Sequence, residues 1–452
     1  MAISRSRIAA CLGLLVLAAA LLAVAPTATS EGPQVLLFRK VRVFDGRHTI
    51  PSTNVLVVGE RIVAVHPHLP APPHAEVIDG TGKTLLPGLI DAHGHATAAA
   101  PFGLIDALAL GVTTELGMFD DPAYVAEVKA THVDGQRAQY LSAGILATAP
   151  GGHGTQYGFP IPTVASPEDA QGFVDDRLAE GSDFIKIVYE DFRQVGYDFP
   201  KLSPQSLHAL IRSSHRRHRM AVVHVTQLAD ARAAVGFGAD GLVHTLMDVF
   251  PDPHFGRFVA ARRAFVVPTL TLYQVASQTT LGLEPLDDPL LAPFLSPAAI
   301  ALIEAPFPPG FELTNFEAAV ESVRQLAAAG APVLAGTDAP NPHTAHGATM
   351  HRELEMLVYA GLSPAQALTA ATAEPALRFG LHDRGRIRPG RRADLLLVNG
   401  DPTADVLAAR DIAGIWQGGV RVDREALVAA SALIPPSPKH GHVCGPAVKP
   451  GG

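Results

Sequence analysis

The stretch Leu85-Leu86-Pro87-Gly88-Leu89-Ile90-Asp91-Ala92-His93-Gly94-His95 is an apolar run that ends in two histidines spaced i, i+2. On a β-strand, side chains two apart share a face, so His93 and His95 aim their imidazoles at one point. Gly94 lets the backbone pass close to whatever they hold. Two neutral imidazoles converging at a strand end supply half of a metal site. The same spacing also describes two half-buried histidines at a strand terminus, and the chain carries its own control. His440-Gly441-His442 repeats the pattern in a Pro/Gly-rich tail with no strand before it. The first pair gains its weight from the rest of the chain.

Outward from this stretch, the sequence divides. Of 452 residues, 48% are hydrophobic and 17% charged, which describes a well-buried chain long enough for one large domain and a smaller one. Residues 1–30 read as a secretory leader: Arg5 and Arg7, an apolar run from Ile8 to Ala25, then small residues to Ser30. The run could also serve as an uncleaved anchor. Cleavage implies an exported protein, periplasmic or extracellular, with no membrane contact once the leader is gone. Loss of the two arginines takes the net charge from −8 to −10, which argues against a nucleic-acid partner. It also removes Cys11 and leaves Cys444 alone, so no internal disulfide is expected.

Short alternating strands follow at 35–38, 41–44, 54–58, 61–65 and 75–78, punctuated by Asp45-Gly46 and Gly59-Glu60. A matching set returns at 393–398, 412–417 and 420–422. The economical reading is a small β-sandwich domain built from both ends of the chain, 31–85 and 381–425, followed by a tail at 426–452. Between them, 86–380 alternates strand-like segments (85–93, 112–116, 139–147, 184–189, 221–225, 241–245, 265–272, 332–338) with helical ones. Ser166-Pro167 and Ser203-Pro204 supply an N-cap followed by proline at the first helical position. Eight such units define an α/β fold, a TIM-like (β/α)8 barrel. One segment breaks the rhythm: from Leu272 to Asn315 the chain carries seven prolines after the seventh strand, as a lid or substrate wall would.

Active sites of such barrels collect at the C-terminal strand ends. Strand one ends in His93 and His95, and strand four carries Lys186 between Ile185 and Ile187. Strands five and six end in His224 and His244, and strand eight in Gly336-Thr337-Asp338. Singly, each has a bland explanation as a core histidine, a paired lysine or a helix cap. Jointly, five of eight strands would end in ligand-type residues by accident.

With these residues the chain resembles the amidohydrolase superfamily, in its branch of imidazolonepropionase-like and prolidase-like metal-dependent hydrolases. The resemblance rests on Leu86-Pro87-Gly88-Leu89-Ile90-Asp91-Ala92-His93-Gly94-His95, Gly336-Thr337-Asp338 and His351-Arg352-Glu353-Leu354-Glu355. It continues through Gly361-Leu362-Ser363-Pro364-Ala365-Gln366-Ala367-Leu368 and the closing Gly385-Arg386-Ile387-Arg388-Pro389-Gly390-Arg391-Arg392-Ala393-Asp394-Leu395. It implies two divalent metal ions, expected as zinc. His93, His95 and Asp338 would hold one, His224 and His244 the other. Lys186, carboxylated by CO2 to a carbamate, would bridge them. Asp338 would be the catalytic proton acceptor.

The substrate is a small molecule, expected to be an N-acyl amino acid or dipeptide cleaved at its amide bond. Deaminases and imidazolone hydrolases of the superfamily often use one metal and a glutamate three residues after the fifth-strand histidine, and here that position is Gln227. Hydrolysis of a lactone or organophosphate ester uses the same chemistry and stays open, as does a mononuclear cyclic-amide hydrolase. Candidate substrate contacts are His153 and Tyr157 in a glycine-rich loop, Tyr189, Tyr273 and His346. The chain is compatible with a homo-oligomer.

Overall fold

The computed structural model describes residues 33–96, 102–157, 159–277, 282–307 and 315–434. The expected leader, the His440-Gly441-His442 control and Cys444 lie outside the described residues. The strands are β1 (Val35–Phe44), β2 (Thr49–Val58), β3 (Arg61–Val65), β4 (Glu76–Asp79), β5 (Lys83–Pro87), β6 (Leu89–Gly94), β7 (Val112–Gly117) and β8 (Gln139–Ser142). They continue with β9 (Ile185–Val188), β10 (Ala221–His224), β11 (Gly241–Val243), β12 (Phe265–Val267), β13 (Leu395–Asn399), β14 (Ile412–Gln417) and β15 (Val420–Arg421).

Both ends of the chain enter one eight-stranded sheet, in the order β15-β14-β13-β5-β1-β2-β3, with β4 added on β1. Its own core packs Phe38 against Trp416 with ring centroids 4.8 Å apart. β5 joins this core to the larger one through its alternation, because Leu85 belongs to the first and Leu86 to the second.

The opening stretch is therefore two strands, where the sequence suggests one over 85–93. Its hydrophobicity is continuous, but Gly88 turns the chain. The Gly88 N–H bonds the Asp394 carbonyl at 2.8 Å, which keeps β5 in the mixed sheet. From Leu89 the chain pairs in parallel with β7. A Cβ on Gly88 would stand 2.3 Å from Thr113 Oγ1, so only glycine makes this crossing.

Two parallel sheets carry the site: β6-β7-β8 and β12-β11-β10-β9. Hydrogen bonds link them at one seam, where Ala147 N donates to Lys186 O and Val188 N to Ala147 O, both at 2.8 Å. At the other seam residues 332–339 lie between β12 and β6, with Leu334 N bonding Val266 O at 2.9 Å and His95 N bonding Ala339 O at 2.8 Å. This expected eighth strand is reduced to isolated bridges at Val333 and Ala339. The ladder fails because Thr337 and Asp338 both turn their N–H to His93 O, at 3.1 and 2.7 Å, and Asp338 takes φ +56°.

The seventh strand, expected to reach Leu272, ends at Val267. Pro268 has no N–H to continue it, and a helix, Leu270–Ser277, begins instead. The Glu353 carboxylate receives that helix's first N–H groups, from Leu270 at 3.0 Å and Thr271 at 2.8 Å.

Within the proline-rich segment, helix Pro297–Glu304 is capped by Ser296, whose hydroxyl also donates to Asp106 Oδ2 at 2.6 Å. The other oxygen of Asp106 accepts from Ser431 at 2.7 Å. Ser431 lies on helix Arg424–Ala432, which Asp423 caps, so ordered structure continues past the expected start of the tail. Among the described residues, no helix is long and apolar enough to cross a membrane.

Candidate metal centre

β6, the segment after β12, and β11 deliver four side chains to one buried point. His95 Nε2 lies 2.8 Å and His93 Nε2 3.0 Å from Asp338 Oδ1, and His244 Nε2 lies 3.9 Å from Asp338 Oδ2. Ligand atoms of His93, His244 and Asp338 all fall within 4.8 Å of one another. His224, on β10, packs its ring 4.4 Å from that of His244. Lys186 is buried on β9 in register with Val222, while its neighbours Ile185 and Ile187 join the outer core, so the lysine faces inward.

The protons on these rings can be located from their partners. Thr269 donates its one hydroxyl proton to Pro268 O at 2.8 Å, so at 2.8 Å it can only accept from His244 Nδ1–H. His95 Nδ1 faces the Phe119 carbonyl at 3.4 Å, which likewise accepts only. His244 then turns the bare lone pair of its Nε2 toward Asp338, and His95 presents Nε2 to the same carboxylate. Neither nitrogen of His93, nor Nε2 of His224, has a hydrogen-bond partner among the described residues.

Burial pulls His93 down to about 3 despite the adjacent carboxylate, and it drives His224 and His244 well below the usual imidazole value. Burial works to raise Asp338, but His93 and His95 beside it outweigh that and hold the carboxyl well below its usual range. Imidazole nitrogens thus surround an anion in a dry pocket, an arrangement that a dication stabilises. The donor set fits a metal.

The tentative substrate residues divide. His153, in the loop after β8, packs its ring 5.5 Å from His224, and burial lowers it to about 3. Tyr157 lies beside it, with centroids 6.0 Å apart. Tyr189 is mostly buried beneath Lys201, whose Nζ is 5.0 Å from the ring centre. The Tyr273 hydroxyl is engaged by backbone, donating to Thr245 O at 2.7 Å. His346 is held by Glu115 Oε2 at 2.9 Å, and the other oxygen of that carboxylate fills the space a Cβ on Gly94 would take. Two contributors escaped the sequence reading. Asp91 was inside the quoted stretch and receives the His93 N–H at 3.0 Å. Thr269 sets the His244 tautomer and carries no motif.

The chain belongs to the amidohydrolase family, whose model matches residues 84–422. An imidazolonepropionase of Deinococcus deserti is 39% identical over 103 residues, a span covering 22% of this chain and about a quarter (26%) of that protein. An imidazolonepropionase of Cereibacter sphaeroides is 27% identical over 415 residues, 81% of this chain and 93% of that one. The crystal structure of a putative prolidase from Bifidobacterium longum superposes with a TM-score of 0.68 at 25% identity, covering 89% of this chain and all of that one. The family match makes the protein an enzyme of amidohydrolase type, with a buried His/Asp group that could hold a metal.

Proposed function

We propose that this protein is an exported hydrolase of an amide or peptide bond, of N-acyl amino acid or dipeptide type, working with two divalent cations. The expected leader 1–30 underlies the export. The two parallel sheets are read as one closed (β/α)8 barrel within 86–380. The observation that carries the reading is the convergence of His93, His95 and His244 on the buried Asp338 carboxylate.

His93, His95 and Asp338 would hold one ion and His224 and His244 the other. Lys186, carboxylated on its amine, would supply the shared anion. Zinc suits imidazole and carboxylate donors. When bound, such a pair brings the pKa of a shared water toward 7 and polarises the scissile carbonyl. Asp338, kept ionised by its histidines, takes the proton of the attacking water and returns it to the leaving amine.

A mononuclear cyclic-amide hydrolase is the second reading, favoured by the imidazolonepropionase relatives. Against it stands Gln227, whose amide donates to Asp191 Oδ1 at 2.8 Å and Glu190 Oε1 at 3.1 Å and can shuttle no proton. The test is a screen of N-acyl amino acids and dipeptides for released amine, with metal content measured alongside and a lactone and a phosphotriester assayed in parallel. Amine release at two metals per chain supports the reading. Turnover of the lactone or phosphotriester alone overturns it.

A further inference from the structure

Gln156 lies three residues after His153, in the loop between β8 and β9. The Gly154 N–H donates to Gln156 Oε1 at 2.7 Å. A backbone N–H can only donate, so this contact identifies the oxygen end of the amide and turns its NH2 end to His153 Nδ1, 2.9 Å away. An amide NH2 also only donates. His153 Nδ1 must therefore accept, and the proton of the neutral ring resides on Nε2. This is the tautomer opposite to that of His244 and His95, whose Nδ1–H groups are committed to Thr269 Oγ1 and the Phe119 carbonyl. A ring flip would set a carbon against the Gln156 amide. Phe192 and Phe199, with centroids 4.7 and 5.8 Å from the imidazole, pack the ring in place.

We infer that Gln156 is a positioning residue that fixes His153 as an N–H donor at the site and bars it from acting as a metal ligand or a base. The inference rests on the proposed hydrolase for its consequence. A neutral donor beside His224 suits a substrate oxygen that gains negative charge, as the carbonyl of an amide does when water adds to it. The loop thus commits one histidine to the substrate while its neighbours offer lone pairs to metal. The sequence sets His153 apart as a substrate contact, and its hydrogen-bond partners add which nitrogen carries the proton.

The test reads the proton directly. Nitrogen NMR of histidine-labelled protein, with the His153 signals assigned by loss in His153→Gln, distinguishes Nε2–H from Nδ1–H. The wild-type protein is expected to show Nε2–H. An Nδ1–H ring, or a mixture, overturns the inference whether or not any substrate is known. In Gln156→Glu the carboxylate keeps an acceptor for Gly154 N–H but can only accept from His153, so at alkaline pH, where the ring is neutral, its proton moves to Nδ1. On a substrate found in the screen, kcat is then expected to fall roughly 10²-fold, with metal content unchanged and KM moving less. An unaltered kcat in a variant whose tautomer has switched overturns the functional half. An Nε2–H ring in a protein that hydrolyses nothing in the screen supports the positioning role and counts against the hydrolase reading alone.

Discussion

The Thr337 hydroxyl donates to Asp91 Oδ2 at 2.6 Å, and the Thr337 N–H reaches Asp91 Oδ1 at 3.1 Å. The same Oδ1 receives the His93 N–H, so one buried carboxylate ties the two segments that supply His93 and Asp338. Thr337→Val removes one donor and leaves a buried oxygen unmatched. Stability should fall by about 1–3 kcal/mol, and metal affinity by roughly 10–100-fold. Urea unfolding of the metal-free protein and a metal titration measure the two separately. Unchanged affinity would show that the backbone alone places these ligands.

Asp338→Asn should lower kcat by roughly 10²–10⁴-fold, the usual worth of a positioned general base. Asparagine still presents an oxygen to a cation, so metal content should fall less than turnover. The check is turnover and bound metal on the same preparation. Near-normal kcat would remove Asp338 from the role of proton acceptor.

Lys186→Ala should take bound metal from two per chain toward one or none and abolish hydrolysis. Elemental analysis of wild type and variant, dialysed together, decides it. A wild-type protein with one metal, and full activity in the variant, would sink the bridging role and reopen the mononuclear reading.

Glu353 gives a pH prediction that involves no proposed metal ligand. Burial pushes its carboxyl from the ordinary 4.5 up to about 7, with the N–H groups of Thr271 and Leu270 opposing. The folded state therefore binds an extra proton between those values. The stability this contributes is present in full below about pH 4.5 and lost as the pH rises through about 7. At 1.36 kcal/mol per unit the loss is at most about 3 kcal/mol. Denaturant curves at pH 5 and pH 8 should converge on a smaller difference for Glu353→Gln than for wild type. Parallel behaviour of the two proteins would contradict it.

How far the sequence could be read depends on the reach of each interaction. The facing of Lys186 follows from the alternation of Ile185 and Ile187, a purely local pattern. The break at Gly88 does not, because its partner, the Asp394 carbonyl, lies far along the chain and the apolar run passes through it without a mark. The end of the seventh strand depends equally on Glu353, 83 residues beyond Leu270. Tyr273 illustrates a different limit. A tyrosine after a strand suits a substrate contact as well as a brace, and only its bond to Thr245 O distinguishes them.

The pairing of β5 with β13, Pro87 opposite Leu395 and Lys83 opposite Asn399, has a consequence for the order of assembly. This ladder closes a loop of roughly three hundred residues, whose entropy cost is met only if the intervening chain is already compact. The hydrolase body must gather before the seam can zip, and the first strands wait, with an unpaired edge, for the last to be synthesised. A chain cut short before β13 would leave β5 with a bare margin open to other chains. The β13 strand is thus the seal of the sheet, drawn shut from the C-terminal side.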